Sequence, residues 1–235
     1  RAPKALIDEV REYRPDYKIK KNEENQNLYL PKEFKSFIFD SGKSVYYEQA
    51  AKFLKDRGVD ATEIARYGIG YCTEGTYAER VIVPSYDKDG ILNYFTGRSF
   101  TGSNYKYKNP PVSKDVIGFE FFVNWNEPII LCEGPFDALS IKRNAIPLFG
   151  KTIPKTLIKK IYTKRVKEIY IVLDEDARKD SIKLVDKLMK DGIKTYFVQL
   201  QDKDPNELGF NKVWDVIHST NQTTFSDFIK HRLYG

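Results

Sequence analysis

The sequence predicts an α/β protein, with an α+β N-terminal subdomain followed by a βαβ-type domain built on a mainly parallel sheet. Three observations lead there. Ile129-Ile130-Leu131-Cys132 and Ile169-Tyr170-Ile171-Val172-Leu173 are short apolar runs rich in branched residues and closed by turn signals, the pattern of strands buried on both faces of a parallel sheet. Between Asp180 and Met189, Ile182, Val185, Leu188 and Met189 form one helical stripe, whose simplest role is packing on such a sheet. Upstream, Arg80-Val81-Ile82-Val83-Pro84 and Ile91-Leu92-Asn93-Tyr94-Phe95 flank Asp87-Lys88-Asp89-Gly90, hairpin turn chemistry.

Residues 1–40 are polar and charged and read as a linker, or as an arm lying on the body. The basic N-terminal subdomain spans 41–126. Within it Ala50, Phe53 and Leu54 recur near helical spacing in a helix from Val45 to Arg57, stopped by Gly58. A second helix runs from Asp60 to Tyr67, the hairpin follows, and 101–111 reads as loop. Residues 127–210 form the second domain: strand to Cys132, helix after Pro135, strand to Leu173, helix from Asp180, a stop at Gly192, and a strand from Thr195 to Leu200. A helical tail covers 211–235.

No stretch of the 235 residues approaches the length of a membrane span. Cys72 and Cys132 lie far apart without metal spacing, so neither a disulfide framework nor a zinc site is expected, and a reducing cytosol, bacterial or of a phage-infected host, is the default. Arg1 is not an initiator methionine, which points to a piece of a longer protein. The net charge of +6 suits a nucleic-acid partner, and a lysine-rich solvated surface accounts for it equally well.

Function is written in the carboxylates. Glu133 ends one apolar run and Asp174 ends another, with Asp176 on the same side of an extended segment while Glu175 points away. Asp137 follows Glu133 by four residues, and Asp204 precedes Pro205. Singly each has a structural account, since aspartate caps helices. Together they put like charges at the carboxyl edge of one sheet, where open α/β sheets bind ligands, and oxygen-only clusters of this kind suit Mg2+ or Mn2+.

These residues resemble the TOPRIM pattern: Glu133-Gly134-Pro135-Phe136-Asp137-Ala138-Leu139, then Leu173-Asp174-Glu175-Asp176-Ala177. Upstream, Ala51 to Val59, Tyr67-Gly68-Ile69-Gly70-Tyr71, Arg80 to Pro84, Gly97-Arg98 and Lys106-Tyr107-Lys108-Asn109-Pro110 are similar to the RNA polymerase core of bacterial-type (DnaG-like) primases, with phage-type primases the nearest flavour. Asp204-Pro205-Asn206-Glu207-Leu208 is similar to the family's last acidic stretch, and the likeness covers about 45–210. Three positions depart from it: Glu175 stands where a small residue is usual, Lys179 where glycine is frequent, and Asn206 where an acid is usual. No cysteine-rich zinc module precedes the core.

The resemblance implies a DNA primase that makes short RNA from NTPs on a single-stranded DNA template, with a replicative helicase as partner. It implies two Mg2+ or Mn2+ ions held by Glu133, Asp137, Asp174, Asp176 and Asp204, with Glu133, Asp174 and Asp176 catalytic and Glu133 either ligand or general base. It also implies nucleotide or DNA contacts from Arg80, Arg98, Lys106 and Asn109, with Lys114 and Arg178 as further candidates; for Lys114 a solvated surface charge is the competing account. Tyr105 and Tyr107 interleave with Lys106 and Lys108, a composition suited to base stacking or to packing. His218 and His231 carry no role. The competing functions are a TOPRIM nuclease attacking with water and a non-catalytic module that binds nucleic acid; a topoisomerase would need a tyrosine-bearing domain that is not visible here.

Overall fold

The computed structural model of this chain describes residues 28–40, 42, 44–173, 185–200 and 205–224. The chain divides into two compact units, Arg1–Val112 and Ser113–Gly235.

In the first unit, α1 (Val45–Lys55) starts where Ser44 Oγ accepts the Tyr47 N–H at 3.1 Å. It buries Ala50 and Leu54, and Gly58, at φ +70°, lets the Val59 N–H return to the Leu54 carbonyl. In α2 (Ala61–Tyr67) Asp60 accepts the Thr62 and Glu63 N–H groups while the Glu63 carboxylate accepts the Asp60 N–H, a complete capping box. The sheet is antiparallel throughout, in the order β1 (Phe34–Ser36), β2 (Gly70–Cys72), β3 (Arg80–Tyr86), β4 (Leu92–Ser99), β5 (Tyr107–Lys108). The expected hairpin is β3–β4. Its turn is organised by Asp87, whose Oδ1 accepts the Asp89 and Ile91 N–H groups, both at 2.9 Å.

Two strands lie where the sequence reads as arm or loop. β1 lays the end of the 1–40 segment along β2, and β5 sits inside 101–111. Strands of three and two residues are too short to display a period of two.

In the second unit the sheet is parallel, ordered β7 (Ala145–Pro147), β6 (Ile129–Cys132), β8 (Glu168–Val172), β9 (Lys194–Phe197). β7 and α4 (Lys155–Thr163) are elements beyond the expected strand–helix alternation. β7 is a three-residue edge strand ending in Pro147, a place where a missing N–H costs nothing. Ile129, Leu131, Ile169 and Ile171 face Leu157 and Ile161 of α4 and Val185 and Leu188 of a helical stretch at 185–190 in one buried core. Val185 and Leu188 thus pack as their spacing predicts. Ile117 joins the same core, which draws residues 113–126 into this unit although composition places the division at 126. α3 (Pro135–Ile141) packs against α5 (Pro205–Leu208) and α6 (Phe210–Ser219), and the Trp214 indole N–H donates to the Ile141 carbonyl at 2.9 Å. The expected tail helix ends at Ser219. Beyond it the Thr223 N–H donates to the Thr195 carbonyl and Thr223 Oγ1 accepts the Phe197 N–H, closing the open edge of β9.

Candidate active site

Strand order determines where this sheet can hold a ligand. From β6 the chain crosses to β7 on one side, then passes back over β6 to reach β8 on the other. That reversal makes the carboxyl ends of β6 and β8 a topological switch point, the crevice where doubly wound sheets place ligands. Cys132 pairs with Val172, so Glu133 and Leu173 leave the sheet side by side.

At the β6 end the turn is built for a carboxylate pair. Gly134 precedes Pro135, which occupies the first position of α3, where its missing N–H is no loss. Asp137 reaches back from the first turn, and its Oδ2 accepts the Gly134 N–H at 3.0 Å. Its charge also faces the helix N-terminal N–H groups, which favour an anion. The Cys132 thiol beneath is fully buried, and its pKa is driven well above the ordinary range, first by burial and then by the Asp137 and Glu133 carboxylates. Both acids therefore crowd the same side of the β6 end, and the thiol is an inert packing group. Glu133 and Asp137 supply hard oxygen donors of the kind Mg2+ or Mn2+ requires. Asp174, Asp176, Arg178 and Asp204 lie outside the described residues. Among the described residues no three His, Cys, Asp or Glu side chains group as a metal site.

The basic candidates of the first unit are separated by strand register. Residues directly opposite in antiparallel strands project to the same face, and neighbours along a strand to opposite faces. Arg80 pairs with Cys72 and Ser99, whereas Arg98 pairs with Val81 and Tyr107, so the two arginines occupy opposite faces of the sheet. Arg80 donates from Nη1 to the Ala78 carbonyl at 2.8 Å and from Nη2 to the Tyr105 carbonyl at 3.0 Å. Its buried Nε has no hydrogen-bond partner among the described residues. Arg98 lies with its guanidinium carbon 4.2 Å from the centre of the Tyr107 ring, a cation–π pair. Tyr105 is 81 % exposed and Tyr107 50 %. Lys106, between them, is exposed, and its carbonyl accepts the Ser99 N–H at 3.0 Å. Asn109 Oδ1 is buried and unpartnered among the described residues. Lys114 belongs to the second unit, where its Nζ lies 3.7 Å from the position a Cβ would take on Gly150, in the turn leaving β7.

Comparison with known proteins agrees with this architecture. Residues 130–209 match a family model described as Toprim-like. The chain is 31 % identical over 196 residues to uncharacterized protein MG010 of Mycoplasma genitalium, covering 76 % of this chain and 88 % of that one. It belongs to the family of that protein. The fold is that of a DnaG-like primase catalytic core with a TOPRIM domain: a solved DnaG primase catalytic domain bound to ssDNA superposes with a TM-score of 0.69 at 19 % identity, over 83 % of this chain and 78 % of that one. A DNA primase of Clostridium acetobutylicum is 26 % identical over 180 residues, or 68 % of this chain, and the match spans 30 % of its own length. No described helix of the DnaG-like core is long and apolar enough to cross a membrane.

Sequence reasoning missed the Gly150 turn. The signal was present in Leu148-Phe149-Gly150 before the amphipathic Leu157, Ile158 and Ile161, but a three-residue strand ahead of it left nothing to anchor the turn.

Proposed function

We propose that this chain is the RNA polymerase core of a DNA primase, joining NTPs into short RNA on single-stranded DNA. The observation that carries this reading is the convergence of Glu133 and Asp137 at the switch point beside the end of β8, the strand that leads directly into Asp174. Divalent ions, Mg2+ or Mn2+, would supply activation of the attacking 3′-hydroxyl and neutralisation of the leaving pyrophosphate. Glu133, Asp137, Asp174, Asp176 and Asp204 would hold them.

The chain's own groups do the rest. Glu133, first out of β6, orients the hydroxyl or accepts its proton. Arg80 and Lys106 meet phosphates in the first unit. The unpartnered Arg80 Nε and Asn109 Oδ1 give that region a donor and an acceptor for phosphate and sugar, which offsets the cost of their burial. Lys114 and Arg178 add cationic contacts from the second unit. Template bases stack on Tyr105 and Tyr107, with Arg98 fixing the Tyr107 ring. A replicative helicase would bring the core to its template.

The test is primer synthesis on mixed-sequence single-stranded DNA with labelled NTPs and Mg2+ or Mn2+, beside Glu133→Gln and Asp174→Asn. Template-dependent short RNA, lost in both variants, is the expected result. Metal-dependent cleavage of the DNA without synthesis would transfer the function to a nuclease. Salt-sensitive binding with neither activity would leave a binding module.

A further inference from the structure

We propose that Asp115 is a positioning residue, clamping its segment onto the start of α4 so that Lys114 is held at the carboxyl edge of the parallel sheet to meet the phosphates of an incoming nucleoside triphosphate. The inference deepens the polymerase reading and rests on it.

α4 cannot cap itself. It follows Pro154, which offers no side-chain acceptor, and the first N–H groups of a helix have no partner within it. The acceptor comes from 41 residues away: Asp115 Oδ1 takes the Thr156 N–H at 2.9 Å. The contact is reciprocal, because Thr156 Oγ1 donates to the Asp115 carbonyl at 3.2 Å. Ser113 Oγ accepts the Asp115 N–H at 3.1 Å, tightening the same turn. The segment around Lys114 has no helix or strand of its own, so these bonds are what order its backbone.

Their consequence falls on the preceding residue. The Lys114 ammonium lies 3.7 Å from where a Cβ on Gly150 would stand. Gly150 follows β7, whose Pro147 pairs with Cys132, and the Leu148 N–H donates to the Cys132 carbonyl at 2.9 Å. The Gly150 turn and the Glu133-Gly134 turn therefore leave the same edge of the sheet. A cation fixed at that edge neutralises phosphate charge beside the carboxylates without belonging to them. An unclamped lysine would spread over its rotamers and lose most of that effect.

The rival account is that Asp115 only stabilises α4. Binding of fluorescently labelled GTP with Mn2+ to the full chain separates the two, with thermal melting run on every variant. Lys114→Ala and Asp115→Ala should each weaken binding about tenfold, the worth of roughly one hydrogen bond to a charged group. The double variant should be no weaker than Lys114→Ala alone, because Asp115 acts through Lys114. Asp115→Asn retains an oxygen for the Thr156 N–H and should bind as wild type. Thr156→Val deletes only the hydroxyl bond and should show a smaller loss that vanishes in the Lys114→Ala background, which keeps the test open if Asp115→Ala does not fold. The inference is overturned if Asp115→Ala melts lower yet binds normally, if its loss adds in full to that of Lys114→Ala, or if the wild type binds no triphosphate. Primer synthesis is scored separately. RNA made without this binding pattern refutes the inference alone, and the pattern without RNA refutes the polymerase reading alone.

Discussion

Replacing Asp137 divides what its carboxylate does for the turn from what its charge does for the site. Its Oδ2 accepts the Gly134 N–H at 3.0 Å, and that N–H, at the head of α3, is partly shielded from water. Asp137→Ala leaves the donor unmet. A hydrogen bond to a charged group is worth about 1.5–3 kcal/mol, and removing one partner exposes the full cost. At about 2–4 °C per kcal/mol for a chain of this size, Asp137→Ala should melt roughly 3–10 °C below wild type. Asp137→Asn keeps an acceptor oxygen at the same place. It forfeits the attraction between the charge and the helix N-terminus, about 0.3–1 kcal/mol, but relieves repulsion from Glu133, so its melting point should stay within about 2 °C. Metal binding should follow the charge instead: titration of Mn2+, read by its electron paramagnetic resonance, should show similar losses in both variants. Scanning calorimetry in chelator supplies the stabilities. Equal melting of Asp137→Ala and wild type would refute the hydrogen-bond argument, and wild-type Mn2+ affinity in Asp137→Asn would refute the assignment of Asp137 to the metal.

Three further outcomes follow from the packing. Gly70→Ala should strip β1 from the first unit, because a Cβ there would run into the Lys35 carbonyl and the Phe34 ring; hydrogen exchange at Phe34–Ser36 should accelerate. Tyr107→Ala should weaken single-stranded DNA binding by about 1–3 kcal/mol while Tyr107→Phe, keeping the ring under Arg98, stays near wild type in a filter-binding titration. Alkaline stability should fall between pH 9 and about 12. Burial raises Cys72 from 9.0, and Tyr71 and Tyr94 from 10.0, each to about 12, with Tyr71 also donating to Asp40 at 2.6 Å. Above the unfolded values the unfolded chain gives up these protons first, so stability present at neutral pH is lost as pH climbs toward the folded values. Urea melts at pH 8 and pH 11 check it, and equal midpoints would overturn it.

Much of the first unit was legible because its signals are local. Ser44, the Asp60–Glu63 box and the Asp87 turn each satisfy backbone groups within four residues, and they determine helix starts and the hairpin wherever the rest of the chain goes. The site was legible in the same way at Glu133 and Asp137, an acid directly after a buried run and a second one turn into the helix. β1, β5 and β7 escaped notice because two or three residues carry no period. α4 escaped because its cap arrives from Asp115, which no local pattern connects to Thr156.

The sequence by itself determined which carboxylates stand at strand ends, and hence the chemistry, because strand period and turn propensity act over a few residues. Tertiary structure decided where that chemistry can occur. Three strands read in chain order contain no reversal; β7, paired outside β6, creates the switch point at Glu133. Tertiary structure likewise decided that Arg80 and Arg98, both expected to serve the phosphates, lie on opposite faces, since strand pairing assigns each residue its side. Strand order and pairing are settled by which helices bury which faces. That is a free energy summed over contacts far apart in the chain, and no short stretch of sequence contains it.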